Sequence, residues 1–169
     1  LEEHPNPKLS GVEAPTGSLG HGLSIGCGMA LAGKILKSKL RTFVLLGDGE
    51  CNEGSVWEAA LFAVAKKLNN LTAIVDYNKW QGTGNSDEIL ALRPLYEKWK
   101  SFGWNVVSID GHNHKKLVKN FKKKQNKPTV IIANTIKGKG VSFMENDNNW
   151  HYRIPTLLEV KMAKKELGL

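Results

Sequence analysis

The chain has 169 residues, 41% of them hydrophobic and 24% charged, with a formal net charge of +8. Those proportions belong to one globular domain, and the longest apolar runs, such as residues 43–46 and 130–133, are strand-sized, far below the roughly 18 residues of a membrane helix. Two cysteines, Cys27 and Cys51, exclude a disulfide framework, and with no signal-peptide core visible the expected location is cytoplasmic.

Residues 16–37 have helical character yet contain Gly17, Gly20, Gly22, Gly26, Gly28 and Gly33. Each interior glycine costs about 1 kcal/mol relative to alanine, so close approach of another backbone or a flat ligand is expected there. Residues 41–46 predict a strand, followed by the turn Gly47-Asp48-Gly49. Residues 54–68 predict a helix, with Val56, Ala60, Leu61, Val64 and Leu68 at helical spacing. A second strand is expected at 71–77, a helix at 90–100 and a third strand at 105–109. Between Lys115 and Lys127, lysines surround Leu117, Val118 and Phe121 on one helical face. That is the pattern of a solvated amphipathic helix. Nucleic-acid binding would need aromatics interleaved with the charge, and only Phe121 is present. Residues 129–134 predict a fourth strand. The rhythm implies right-handed crossovers: one α/β domain over residues 1–169, a parallel sheet with helices on both faces.

Ligands of such sheets sit at the carboxyl ends of strands. That rule selects residues 47–54 and 78–84. Asp48 follows the first strand and Asn78 the second, so with one helix between them the strands are expected to be neighbours. A carboxylate, an amide oxygen and a nearby carbonyl form a hard-oxygen set suited to Mg²⁺ or Ca²⁺, Mg²⁺ filling its shell with phosphate oxygens and water. Gly49 lets backbone pass close to a phosphate, and the next helix offers free N–H groups. An aspartate before a helix can also be a simple cap; the matching Asn78 favours a metal–diphosphate clamp. Cys51 reads as a small filler near this turn.

These residues resemble the thiamine-diphosphate fingerprint, in which GDG is followed by a later Asn. The run GDGECNEGSVWEAA looks like the transketolase version, TGSLGHG at 16–22 is similar to that family's TGxLGxG, and VDYNKWQGTG resembles its second metal-ligand loop. The stretch 137–151 looks like its diphosphate-contacting histidine segment. The resemblance runs from His4 to at least His151 and is closest to N-terminal subunits of transketolases split into two chains. It implies the diphosphate-binding (PP) fold, with metal ligation by the Asp48 and Asn78 side chains and the Trp80 carbonyl. Gly49 and Glu50 would offer N–H groups to the diphosphate, His151 would contact it, and Gly17 and Leu19 would line the aminopyrimidine. His4 matches a histidine that touches the bound donor. Glu53 and Glu58 match acidic residues at a homodimer interface linked to the cofactor sites. Sugar phosphates are the implied substrates.

Departures from the family are Glu3 in place of glycine before His4, Trp80 in place of an aliphatic residue, and His21 where glutamine is common. Family members also carry additional residues before the His4 position, which predicts a fragment or a reduced substrate site. The pyrimidine-binding domain, source of the glutamate that protonates the aminopyrimidine, is expected on a partner. Glu53 favours transketolase over deoxyxylulose-phosphate synthesis or 2-oxo acid decarboxylation on the same cofactor, and a non-catalytic cofactor-binding remnant is the reading from another class. Three signals are rejected. GMALAGK at 28–34 mimics a P-loop but follows no strand and has Ile35 where Ser or Thr is needed; no GxGxxG follows a strand; and His112 with His114 lacks carboxylate or cysteine company. Trp99 and Trp104 are expected to pack under the helix that joins them.

Overall fold

The computed structural model describes residues 4–169, so Glu3 lies outside the described residues. Four parallel strands form the sheet: β1 (Thr42–Gly47), β2 (Leu71–Tyr77), β5 (Asn105–Asp110) and β6 (Thr129–Asn134), in the order β1-β2-β6-β5. The strands of Asp48 and Asn78 are therefore neighbours, with Gly47 opposite Asp76. A short antiparallel pair, β3 (Trp80–Gln81) and β4 (Gly84–Asn85), projects beyond the end of β2.

Alternation along β1 divides the sheet into two unequal faces. Thr42, Val44 and Leu46 are buried beneath α1 (His21–Ile35) and α2 (Gly54–Ala65), together with Leu71, Ala73, Val75, Val130 and Ile132 of the same face. Phe43 and Leu45 point the other way, and Leu45 is 72% exposed. On that side α5 (His114–Lys122) brings Phe121 edge-on to Phe43. Helices thus lie on both faces, as the alternation predicted.

Helix α1 sits almost directly on β1. A Cβ on Gly26 would stand 2.3 Å from Cγ2 of Val44, which accounts for that interior glycine. Gly26→Val should therefore destabilise the fold by about 3 kcal/mol, the upper end of overpacking costs. Urea unfolding would show a lower midpoint at unchanged slope.

Of the helix expected at 90–100 only the second half forms, as α4 (Leu95–Ser101), and a separate short helix, α3 (Ser86–Leu90), ends where the expected one was to begin. Pro94 lacks an N–H and excludes the residue before it from helical geometry, so the helix begins at Leu95. Trp99 of α4 is fully buried and Trp104, just before β5, nearly so. Their rings lie 5.0 Å apart, and Trp99 also meets Trp57 of α2 at 5.1 Å. The Trp104 indole donates to the Ala60 carbonyl. The pair packs against α2 as much as under its own helix. A final helix, α6 (Leu157–Glu166), opens with a capping box between Thr156 and Glu159. The basic helix carries no buried residue, in keeping with a solvated face.

Candidate functional site

Asp48 stands one residue past β1 and is 1% exposed. Its Oδ2 accepts from the Lys79 amide at 2.9 Å and from the Ser86 hydroxyl at 3.1 Å. Its Oδ1 is buried with no hydrogen-bond partner. Burial pushes this carboxyl above the ordinary aspartate value; the bonds from Ser86, Gly49 and Lys79 pull it back in part, and the nearby Asp76 charge raises it further. A buried anionic oxygen without a partner is a costly arrangement. It fits a cation that is bound during function.

Across the strand pair, Asn78 donates from Nδ2 to Asp76 at 3.2 Å and accepts at Oδ1 from the Trp80 amide at 2.8 Å. That oxygen keeps a second lone pair. Trp80 lies in β3, half-buried and opposite Asn85. Among the described residues no group of three or more His, Cys, Asp or Glu is placed to hold a metal. A metal here would rest on one carboxylate, one amide oxygen and backbone carbonyl, a set that suits Mg²⁺ and leaves room for phosphate oxygens.

Between β1 and α2, after the expected turn at 47–49 and before the helix that starts at Gly54 as expected, the chain makes a one-turn 3-10 helix, Gly49–Asn52. Gly49 is required by its own chain: a Cβ there would lie 2.6 Å from Cβ of Gln81. The turn thus packs on the β3–β4 hairpin. Glu50 carries a role that the spacing did not disclose. Its carboxylate accepts from the Gly20 amide at 2.9 Å and the Gly47 amide at 3.1 Å. Cys51 is fully buried, its thiol pushed up chiefly by burial, and serves as filler.

The remaining residues flank this centre. A Cβ on Gly17 would stand 2.9 Å from the His4 ring, so these two are adjacent. Leu19 is 58% exposed. Glu53 and Glu58 are both exposed, Glu53 as the residue capping α2 without a side-chain bond. His151 ends a second 3-10 turn, Asn148–His151. Desolvation, then the Lys137 charge, hold its imidazole below the usual histidine value, although the residue is exposed. His151 approaches the hairpin at Gly82, where Tyr152 also closes in. Asp48, Gly49, Glu50 and the 78–82 loop are thus linked through hydrogen bonds and packing, with His4–Gly17 and His151 as two flanking groups. Ser86 and Lys79 escaped the sequence reading because a hairpin, invisible in the hydrophobic pattern, returns them to Asp48. The rejected signals stay rejected: residues 28–34 are helical within α1, and His112 accepts from the Ile136 amide.

Comparison with known proteins agrees with this geometry. The family described as "Transketolase, thiamine diphosphate binding domain" matches residues 2–169. An apulose-4-phosphate transketolase subunit of Phocaeicola vulgatus is 41% identical over 99% of this chain and 61% of its own length. A protein of the same description from Actinobacillus succinogenes is 46% identical over 99% and 62%. The fold superposes on the crystal structure of transketolase from Campylobacter jejuni with a TM-score of 0.88 at 30% identity, covering 94% of this chain and 26% of that one. The chain spans less than two thirds of the length of the curated relatives it matches. No described helix is long and apolar enough to cross a membrane. By family match, relatives and fold alike, this chain belongs to the transketolase family and corresponds to its thiamine diphosphate binding domain.

Proposed function

We propose that this chain is the diphosphate- and metal-binding part of a transketolase that moves two-carbon ketol units between sugar phosphates, completed by a pyrimidine-binding subunit or domain. The observation that carries the reading is the buried Asp48 carboxylate with an unpartnered Oδ1, with Asn78 one residue past the end of the neighbouring strand. That the relatives are named as subunits of a transketolase supports a divided enzyme.

Thiamine diphosphate, when bound, supplies the carbon centre through which the two-carbon unit is carried. The chain's own residues hold and orient it. Asp48 Oδ1, Asn78 Oδ1 and the Trp80 carbonyl would hold Mg²⁺, which would supply positive charge to the diphosphate. Gly49 and Glu50 amides would face the phosphate oxygens, and His151 would donate an N–H to them. Gly17 and Leu19 would line the aminopyrimidine. His4, adjacent to Gly17, would contact the sugar donor. Glu53 and Glu58, both exposed, would face a second copy.

Two measurements test this reading. Calorimetry should show thiamine diphosphate binding to the chain with Mg²⁺ and no binding after EDTA; equal heats in both conditions would refute the metal clamp. Light scattering should show a homodimer that also associates with a pyrimidine-binding subunit. Exposed apolar side chains on the outer surfaces of α1 and α2, Ile25, Leu61 and Phe62, support that association. A species that stays monomeric with cofactor and partner present would contradict it.

A further inference from the structure

We propose that Glu50 is a positioning residue that fastens the turn before α1 to the end of β1, fixing the distance between the two ends of the cofactor site. This rests on the functional reading above, since one end is the metal pocket at Asp48 and the other the Gly17–Leu19 segment.

One carboxylate spans two parts of the chain that are far apart in sequence. Oε2 of Glu50 accepts from Gly47, the residue before Asp48, and Oε1 accepts from Gly20, the residue before α1. The Gly20 carbonyl is held as well, accepting from the Ser55 hydroxyl at 3.2 Å. Gly20 is buried and has φ of 80°, and a Cβ on it would lie 2.3 Å from the Ser55 hydroxyl and 2.8 Å from Cβ of Glu53. Only glycine fits between these groups. None of residues 4–19 is buried, so apolar packing does little to locate that segment. Its position is set where Gly20 is clamped. Hydrogen bonds to a charged carboxylate are the strong kind, and both of these come from amides at the borders of the site.

A ligand that touches both ends gains affinity from their fixed separation, because less ordering is left to binding. A ligand that touches the metal end alone gains nothing from it. Glu50→Gln is isosteric but replaces one acceptor oxygen with an N–H₂ group that faces an amide N–H. Calorimetry on the full chain with Mg²⁺ should show thiamine diphosphate weakened about tenfold, roughly the loss of one charged hydrogen bond. Inorganic diphosphate with Mg²⁺, which does not reach the Gly17–Leu19 segment, should weaken by less than thiamine diphosphate. Ser55→Ala, which removes only the bond to the Gly20 carbonyl, should act in the same direction with a smaller loss and provides the test if Glu50→Gln folds poorly. Hydrogen exchange of the Gly20 and Gly47 amides, read without any ligand, should accelerate in Glu50→Gln. The clamp is overturned if both ligands weaken equally, if neither weakens, or if those amides exchange as in wild type. A wild-type chain that binds neither ligand overturns the functional reading, and the clamp with it.

Discussion

Asp48→Ala should abolish Mg²⁺-dependent binding of thiamine diphosphate, because it removes the buried carboxylate proposed to hold the metal. Truncating one member of a buried charged pair costs about 2–5 kcal/mol, a loss of roughly 30-fold or more. The alanine also strips the Lys79 amide and Ser86 hydroxyl of their acceptor, so it lowers stability too. Asp48→Asn separates the two effects. Its amide oxygen still accepts from both donors, while the charge is gone, so binding is lost and the metal-free fold is retained. The sign on stability follows from the raised native carboxyl. A group that binds its proton more tightly when folded makes the fold weaker as pH rises from the unfolded value through the raised native one. Above that window the burial penalty of the anion is complete. Asp48→Asn should thus melt higher than the metal-free wild type at pH 7, by about 2–4 °C for each kcal/mol relieved. Differential scanning calorimetry with EDTA checks the melting, and titration calorimetry with Mg²⁺ checks the binding. Wild-type affinity in either variant would refute the assignment of Asp48.

The second large effect is catalytic. The purified chain with Mg²⁺ and thiamine diphosphate should transfer no ketol unit from xylulose 5-phosphate to ribose 5-phosphate. On the proposed reading the diphosphate end would be held here, while the family resemblance assigns the glutamate that protonates the aminopyrimidine to the pyrimidine-binding domain. Asp48 and Asp76 are engaged near the strand ends, the Glu50 carboxylate is occupied by the Gly20 and Gly47 amides, and Glu53 and Glu58 are exposed. A cofactor held at one end also loses much of the advantage of a closed and oriented site. Adding the pyrimidine-binding subunit should raise the rate from background to that of a working enzyme. Product formed by the chain alone, and abolished by Asn78→Ala to exclude contamination, would show that the catalytic half lies here.

Much of this was legible before any coordinates. The β-rich run at 41–46 and the apolar runs at 71–77 and 129–134 predict parallel strands, and their spacing predicts that the strands of Asp48 and Asn78 are neighbours. The hairpin of Trp80–Gln81 and Gly84–Asn85 was not legible, since two-residue strands carry no period. Yet that hairpin delivers Lys79 and Ser86 to Asp48 and sets Gln81 against Gly49. Glu50 was read for its backbone amide, whereas its side chain makes the long-range contact to Gly20. Nothing in local spacing encodes a bond across thirty positions. The shortened helix at 90–100 was a failure to weigh Pro94 against apolar periodicity. The reason for the glycines of α1 was half anticipated: close approach was expected, but at Gly26 the neighbour is Val44 of β1.

The most direct test of where the metal and diphosphate sit is paramagnetic broadening by Mn²⁺ in place of Mg²⁺. With assigned amide spectra of this 18.7 kDa chain, Mn²⁺ and thiamine diphosphate together should bleach Gly49, Lys79 and Ser86 while leaving α5 and α6 intact. The pattern should vanish in Asp48→Asn. Broadening centred on the lysines of α5, broadening that survives Asp48→Asn, or none at all would contradict the account.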